Sequence, residues 1–255
     1  MANLLNALAQ TFKSLHLPGT PLIIANIHDA PSAKAVASLS SSKAIATGSY
    51  AIAEAAGTTD DELPLDELLR SAKIIGKMVK PFGKPLSIDI RDGYGDKLEQ
   101  IVTEFITGAG VVGVNLEDFD SRSGKFYTVS EAAGRIACVL STAKALNVPD
   151  FVVNARCDIL VKGGELAEVM ERGKAYLAAG ATMVFVWGGS GRGGVKRDEV
   201  TRLVEAFDGR LNVLKGELSV KELAEIGVAR VSVGPLLQSR AVERIREVAA
   251  ELLES

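Results

Sequence analysis

Cysteine and histidine are scarce in this 255-residue chain, and each scarcity removes a class of protein. Cys138 and Cys157 cannot build a disulfide framework, and with two histidines no Cys/His group takes zinc-like spacing. A reducing, cytoplasmic setting is the expectation. Positive charge is not in excess either: 29 Lys and Arg face 32 Asp and Glu, a net charge of −3, so no nucleic-acid surface is expected. Long apolar runs are missing. Nothing approaches the ~20 residues that span a bilayer. The opening "MANLLNALAQTFKSLHLPG" alternates at helical spacing and has no continuous signal-peptide core, so neither membrane insertion nor export is expected. No linker rich in Pro, Gly or Ser divides the chain and no motif recurs at fixed period, which predicts one domain over residues 1–255. The partner left is a small molecule.

What the chain does have is a steady alternation. Short apolar runs at Pro21–Ile27, Ala44–Gly48, Pro85–Ile90, Gly110–Asp118, Asp150–Arg156, Ala181–Gly188, Arg210–Lys215 and Arg230–Gly234 read as strands. Between them lie helical patterns such as "PLDELLRSAKIIGKMV", "VSEAAGRIACVLSTAKAL" and "ELAEVMERGKAYLAAG", several opening at Asp or Ser caps and closing at Gly. The runs are apolar on both faces, as parallel strands covered by helices are. Eight such units predict an α/β fold of the (β/α)₈ TIM-barrel type. A doubly wound open sheet is the rival, but "IIANIHDAPSAK" at the first strand carries no G-x-G-x-x-G.

Barrel chemistry gathers at the carboxyl ends of the strands. Collected in order, those ends supply Asn26, His28 and Asp29; Thr47, Gly48 and Ser49; Asp89, Arg91 and Asp92; Glu117 and Asp118; and Asn154, Arg156 and Asp158. Trp187, Lys215, Glu217 and Gly234 follow in the second half. Carboxylates from neighbouring strands beside an arginine suit a hard divalent cation next to a guanidinium clamp. Asp89 and Glu117 are the candidate metal ligands. The alternative reading is that the two only pair with Arg91 and Arg156 in a structural network.

The three stretches "SIDIRDGYGD", "GVVGVNLED" and "FVVNARCD" resemble, in order and spacing, the isocitrate lyase and phosphoenolpyruvate mutase superfamily, which reads D-x-D-T-G-Y-G, N-[IL]-E-D and N-A-R-T-D. The likeness runs from "HDAPSAKAVASL" to "AYLAAGATMVFVWG". It implies a (β/α)₈ barrel whose last helix, here "SRAVERIREVAAELLES", is exchanged within a tetramer or dimer, although an ordinary eighth helix is equally open. It also implies Mg²⁺ on Asp89 with Glu117 in its outer sphere, and Arg156 clamping a substrate carboxylate. Thr47, Gly48 and Ser49 hold the same anion through their backbone, and Asn154 joins the substrate contacts. Asp60 corresponds to a carboxylate important in the mutases, or it caps the helical run after "TTDDE". The implied reaction breaks or rearranges a C–C or P–C bond beside the carbonyl of a small 2-oxo- or 2-hydroxy-carboxylate, through an enolate-like intermediate.

Two departures bear on that reading. Arg91 replaces the second acid of D-x-D, with Asp92 one place later and able to rotate in as a substitute. The loop "FDSRSGKFYTVSEAAGRI" lacks the K-[KR]-C-G-H of the carbon–carbon lyases, so isocitrate-type cleavage is not expected, and Arg122, Ser123 and Lys125 are loose stand-ins for mutase loop residues. Cys157 has no histidine nearby and reads as a packed thiol. His28 is either a base or a hydrogen-bond partner of Asp29. "GGSGRGG" lacks the lysine of a P-loop and reads as a loop at the mouth. "RVSVGP" resembles the phosphate-binding strand ends of many barrels, which keeps a metal-independent, phosphate-binding enzyme as one alternative. A barrel of the same family that has lost catalysis is the other.

Overall fold

The computed structural model describes residues 2–254. Ten strands form: β1 (Leu22–Ile27), β2 (Ile45–Thr47), β3 (Leu86–Asp89), β4 (Gly113–Glu117), β5 (Phe119–Asp120), β6 (Lys125–Phe126), β7 (Val152–Cys157), β8 (Met183–Val186), β9 (Leu211–Leu214) and β10 (Arg230–Ser232). Eight of them close a parallel barrel in the order β1-β2-β3-β4-β7-β8-β9-β10, with β10 pairing back onto β1. Each expected strand is present, and the fold is a (β/α)₈ barrel. The β5/β6 hairpin was not foreseen; it stands on the loop after β4 and is pinned by an edge-to-face contact between Phe119 and Phe126 at 5.0 Å.

The helices are α1 (Ala2–Ser14), α2 (Ala30–Ala37), α3 (Ser49–Ala55), α4 (Leu65–Val79), α5 (Leu98–Glu104), α6 (Val129–Ala145), α7 (Leu166–Ala178), α8 (Arg197–Ala206), α9 (Val220–Ile226) and α10 (Leu236–Leu253). Local chemistry sets their ends. Asp29 with Ser32, Thr128 with Glu131 and Ser219 with Glu222 form reciprocal capping boxes on α2, α6 and α9. Gly227 ends α9 at φ +108°, where a side chain would be strained.

The apolar core lies between the outer face of the barrel and the helices. Ile88, Val114, Val153, Val184, Val213 and Val231 meet Leu68, Ile75, Ile101, Val139, Val169 and Leu203 there. Each such side chain contributes about 1.5–3 kcal/mol on burial. The lumen is different. With the tilt of a closed barrel, the strand register stacks inward residues in layers from alternate strands. Gly113, Met183 and Arg230 stand at the foot. Ile24, Ser87, Asn154 and Asn212 come next, then Ala46, Asn115, Phe185 and Ser232, then Asn26, Asp89, Arg156 and Leu214. Branched aliphatic residues usually fill these positions; here most are polar. Helix α1 plugs the foot with the fully buried Phe12, and a Cβ on Gly113 would lie 2.9 Å from the Phe12 ring.

Helix α10 buries only Gln238 among its described residues. Leu236, Leu237, Val242 and Ile245 are exposed on it, and Ile23 on the outer face of β1 is 53% exposed. Helix α10 thus leaves Ile23 of the first strand open to solvent.

Candidate functional site

The lumen opens at the carboxyl ends of the strands into a cavity of about 730 Å³. Asn26, Thr47, Gly48, Ser49, Asp60, Asp89, Asn115 and Arg156 line it, with Trp187 and residues of the 189–194 loop on the far side. The first and last strands are tied at the rim by Asn26, which donates to the Thr47 carbonyl at 2.9 Å and accepts from the Gly234 amide at 2.9 Å. This tie fixes the Thr47–Ser49 backbone against the cavity.

Asp89 ends β3 and is 7% exposed. Its Oδ1 accepts the Arg91 amide at 3.1 Å, and its own amide donates to Thr47 Oγ1 at 3.0 Å. Oδ2 receives only a long contact from Asn115 Nδ2, at 3.4 Å. Asn154, expected among the substrate contacts, does not reach the cavity wall. It is fully buried one layer below and donates to Asn115 Oδ1, so it steadies Asp89 at one remove.

Arg156 sits among acids. Its Nε donates to Asp158 Oδ1 at 2.8 Å, and Nη1 lies 2.6 Å from Glu117 Oε1 in an ion pair angled away from a hydrogen bond. The guanidinium stands 5.4 Å from the Trp187 ring and 5.8 Å from the Phe185 ring, within cation–π range of both. Burial opposes its charge, but Asp158, Glu117 and Asp89 outweigh that and bind its proton more firmly than usual.

The carboxylates move the other way. Burial raises Asp89, with Arg156 opposing and the nearby Asp60 charge adding to the rise. Glu117 is raised well above an ordinary glutamate by burial, then by Asp158, Asp89 and Asp60, against Arg156. Asp60, Asp89, Glu117 and Asp158 therefore crowd together around one guanidinium, which contacts only Glu117 and Asp158. Asp60 makes no capping hydrogen bond; Thr59 holds the cap position, and Asp60 Oδ1 is buried without a partner on the cavity wall.

The two departures from the family pattern each find a place. Arg91 adopts φ +55°, and its side chain leaves the cavity. It donates to Ser121 on the hairpin loop at 2.5 Å, approaches Asp61 at 3.5 Å and lies 5.7 Å from the Tyr94 ring. Asp92 does not rotate in as a substitute acid. It accepts the Tyr94 and Gly95 amides and the Tyr127 hydroxyl, closing the turn after β3. Arg122 lies at the turn of the hairpin against Asp120, and Lys125 is exposed. Cys157 is buried, and burial pushes its thiol well up, which suits packing. His28 stands 3.8 Å from Asp29 and does not line the cavity.

Among the described residues, no three acidic, histidine or cysteine side chains form a ready cage for a metal ion. The donor set nonetheless fits a hard cation that keeps most of its water. Asp89 Oδ2 is weakly satisfied and Glu117 Oε1 and Asp60 Oδ1 accept no hydrogen bond, while burial first, and neighbouring acids after it, raise the proton affinity of Asp89 and Glu117.

Sequence reasoning placed Asn26 at the rim but missed Ser87, Asn115, Asn212, Arg230 and Ser232 as part of this interior. A signal was present: four barrel strands carry an asparagine at an inward position, in "LIIANI", "GVNLE", "VVNARC" and "LNVL".

The family model for phosphoenolpyruvate phosphomutase matches residues 12–253. An uncharacterized protein of Mycobacterium tuberculosis is 31% identical over 88% of this chain and 81% of its own length. The phosphoenolpyruvate phosphomutase of Streptomyces hygroscopicus is 28% identical over 84% of this chain and 70% of its own length. A crystallised candidate phosphonomutase from Burkholderia cenocepacia J2315 superposes with a TM-score of 0.87 at 32% identity, covering 97% of this chain and 99% of that one. With the motifs of β3, β4 and β7 meeting at one cavity, the chain belongs to the phosphoenolpyruvate phosphomutase family and is an enzyme of the phosphoenolpyruvate mutase/isocitrate lyase superfamily.

Proposed function

We propose that the protein is a Mg²⁺-dependent lyase or mutase that breaks or rearranges a C–C or P–C bond beside the carbonyl of a small 2-oxo- or 2-hydroxy-carboxylate. The observation that supports this best is the meeting, at one cavity, of the under-satisfied Asp60 and Asp89 carboxylates with the Arg156 guanidinium, which is ion-paired to Glu117 just outside the lining. Arg156, with Nε and Nη1 turned to Asp158 and Glu117, would meet a substrate carboxylate through the N–H edge that remains, and a bidentate contact there would fix the angle of the reacting carbonyl. The amides at Gly48 and Ser49 face the same anion from across the cavity. Asp89, with Glu117 through water, would hold the divalent cation, whose chemistry is to stabilise negative charge on an oxygen as an enolate-like intermediate forms. Asp60 borders the reacting groups with an oxygen free to hold or pass a proton. Trp187 and residues of the 189–194 loop line the same cavity and would shield it from water on the side they border.

The same reading includes a homo-oligomer, tetramer or dimer, in which the exposed apolar residues of α10 and Ile23 of β1 would be covered by another copy. Light scattering on the purified chain checks this, and a stable monomer at micromolar concentration is the contrary result.

The reaction is tested by screening oxaloacetate, phosphonopyruvate and substituted malates for pyruvate release, with and without EDTA. Turnover that EDTA abolishes and Mg²⁺ restores is expected. Turnover indifferent to EDTA would point to a metal-independent, phosphate-binding barrel. A degenerate barrel is favoured by Arg91 and by a hairpin loop without Cys or His. Calorimetry with oxalate, a planar mimic of the enolate, separates it, since a lost site gives no Mg²⁺-dependent heat.

A further inference from the structure

Arg230 enters neither the family motifs nor the reaction above, yet it is the most unusual charge in the molecule. It begins β10 at the foot of the lumen, layers below Asp89, and is 2% exposed while still lining the cavity. Its Nε and Nη1 are buried without a hydrogen-bond partner, and no carboxylate pairs with it among the described residues. The Phe12 ring lies 5.8 Å away on the side of the plug. His16, also near, is held neutral: burial, then the Arg230 charge, bring it down to about 3. Asp89 acts on Arg230 only through space, and burial draws the guanidinium down to about 10, so it remains charged at neutral pH.

An isolated buried cation is costly unless something of opposite charge or a full set of acceptors meets it. The groups that share its end of the lumen are neutral and polar. Asn212 Nδ2 donates to Ser232 Oγ at 3.1 Å, Ser232 Oγ lies 3.3 Å from Asn212 Oδ1, and Ser87 and Ser232 line the cavity above the guanidinium. A guanidinium with two unpartnered nitrogens, hydroxyl groups in the layers above and a cavity that it lines is suited to one small anion.

We propose that the foot of the cavity is a binding site for a small monoanion, a halide or a carboxylate group, with Arg230 as its charged donor and Ser232 and Ser87 as neutral donors. Two sources share this chemistry: a free inorganic anion such as chloride, or a carboxylate of the substrate reaching down the lumen. The site counters the carboxylates of the rim from below, and it gives the polar lumen an occupant.

The test uses the full chain without substrate, titrating chloride against isethionate at constant ionic strength and reading Tm. A saturable rise of about 5 °C at a hundredfold excess over Kd is expected, and Arg230→Met should abolish it. Should that variant fail to fold, bromide in crystals of the unaltered protein supplies the readout, as an anomalous peak beside Arg230. Chloride that also weakens oxalate binding tenfold or more assigns the site to a substrate carboxylate, and chloride that stabilises without competing assigns it to a free anion. That last arm alone rests on the proposed reaction. A Tm indifferent to chloride together with no bromide peak, or a chloride response undiminished in Arg230→Met, overturns the proposal.

Discussion

Replacing Arg156 with methionine isolates the electrostatics of the site from its chemistry. The side chain is 14% exposed and is the contact cation for two carboxylates, Glu117 at 2.6 Å and Asp158 at 2.8 Å, themselves 13% and 5% exposed. Methionine keeps much of the volume and the contact with Trp187 but leaves both acids without a counter-charge. Removing one partner of a buried pair costs about 3–5 kcal/mol. For a chain of this size each kcal/mol moves Tm by about 2–4 °C, so a fall of about 6–20 °C is expected. Adding Glu117→Gln to Arg156→Met removes one stranded charge and should return roughly half of the loss, a coupling that separate effects would not give. Scanning calorimetry at pH 7 without divalent ions measures both. A single variant within about 2 °C of the parent would refute the view that these carboxylates depend on Arg156.

Three further outcomes are expected. Asp89→Asn, which keeps shape and eases the burial of a charge, should leave Tm equal or higher while lowering turnover by about a thousandfold, the scale of losing charge stabilisation in a transition state; full activity in a folded variant would count against Asp89. Asp89 and Glu117 bind protons more firmly folded than unfolded, so the native state holds more protons above about pH 4 and stability falls as pH rises through that window. Exposed acids lowered by hydrogen-bonding partners, such as Glu67 and Asp150, act with opposite sign at lower pH. Saturating Mg²⁺ should flatten the decline, and a Tm that climbs from pH 4.5 to 7 in EDTA would contradict the assignment. Gly113→Ala places a methyl 2.9 Å from both Phe12 and the Val152 carbonyl, so overpacking should cost about 1–3 kcal/mol, read as a lower urea midpoint.

The barrel was legible because its strands are short apolar runs and several helices, such as α2, α6 and α9, carry their own start chemistry, which are local signals. Asp89, Glu117, Arg156 and the Thr47–Ser49 backbone stood at strand ends, where period and position suffice to gather them. Asn154 shows the limit. It is two residues from Arg156, so its side chain shares the inward face but lies lower, and depth within a barrel follows from tilt, which no single strand encodes. Arg91 fell outside for another reason: a positive φ redirects its side chain toward Ser121 and Asp61, and non-glycine residues seldom announce that conformation. The β5/β6 hairpin is two residues per strand, too short for alternation to register.

A wet lumen inside a dry jacket divides the labour of this barrel. The oil that keeps the chain folded is on the outside of the staves, under the helices, whereas the bore is furnished with amides and hydroxyls that hold one another. Exchanging one bore residue for another of similar size and polarity disturbs little of that jacket, so new selectivities can be carved from within while the wall stands.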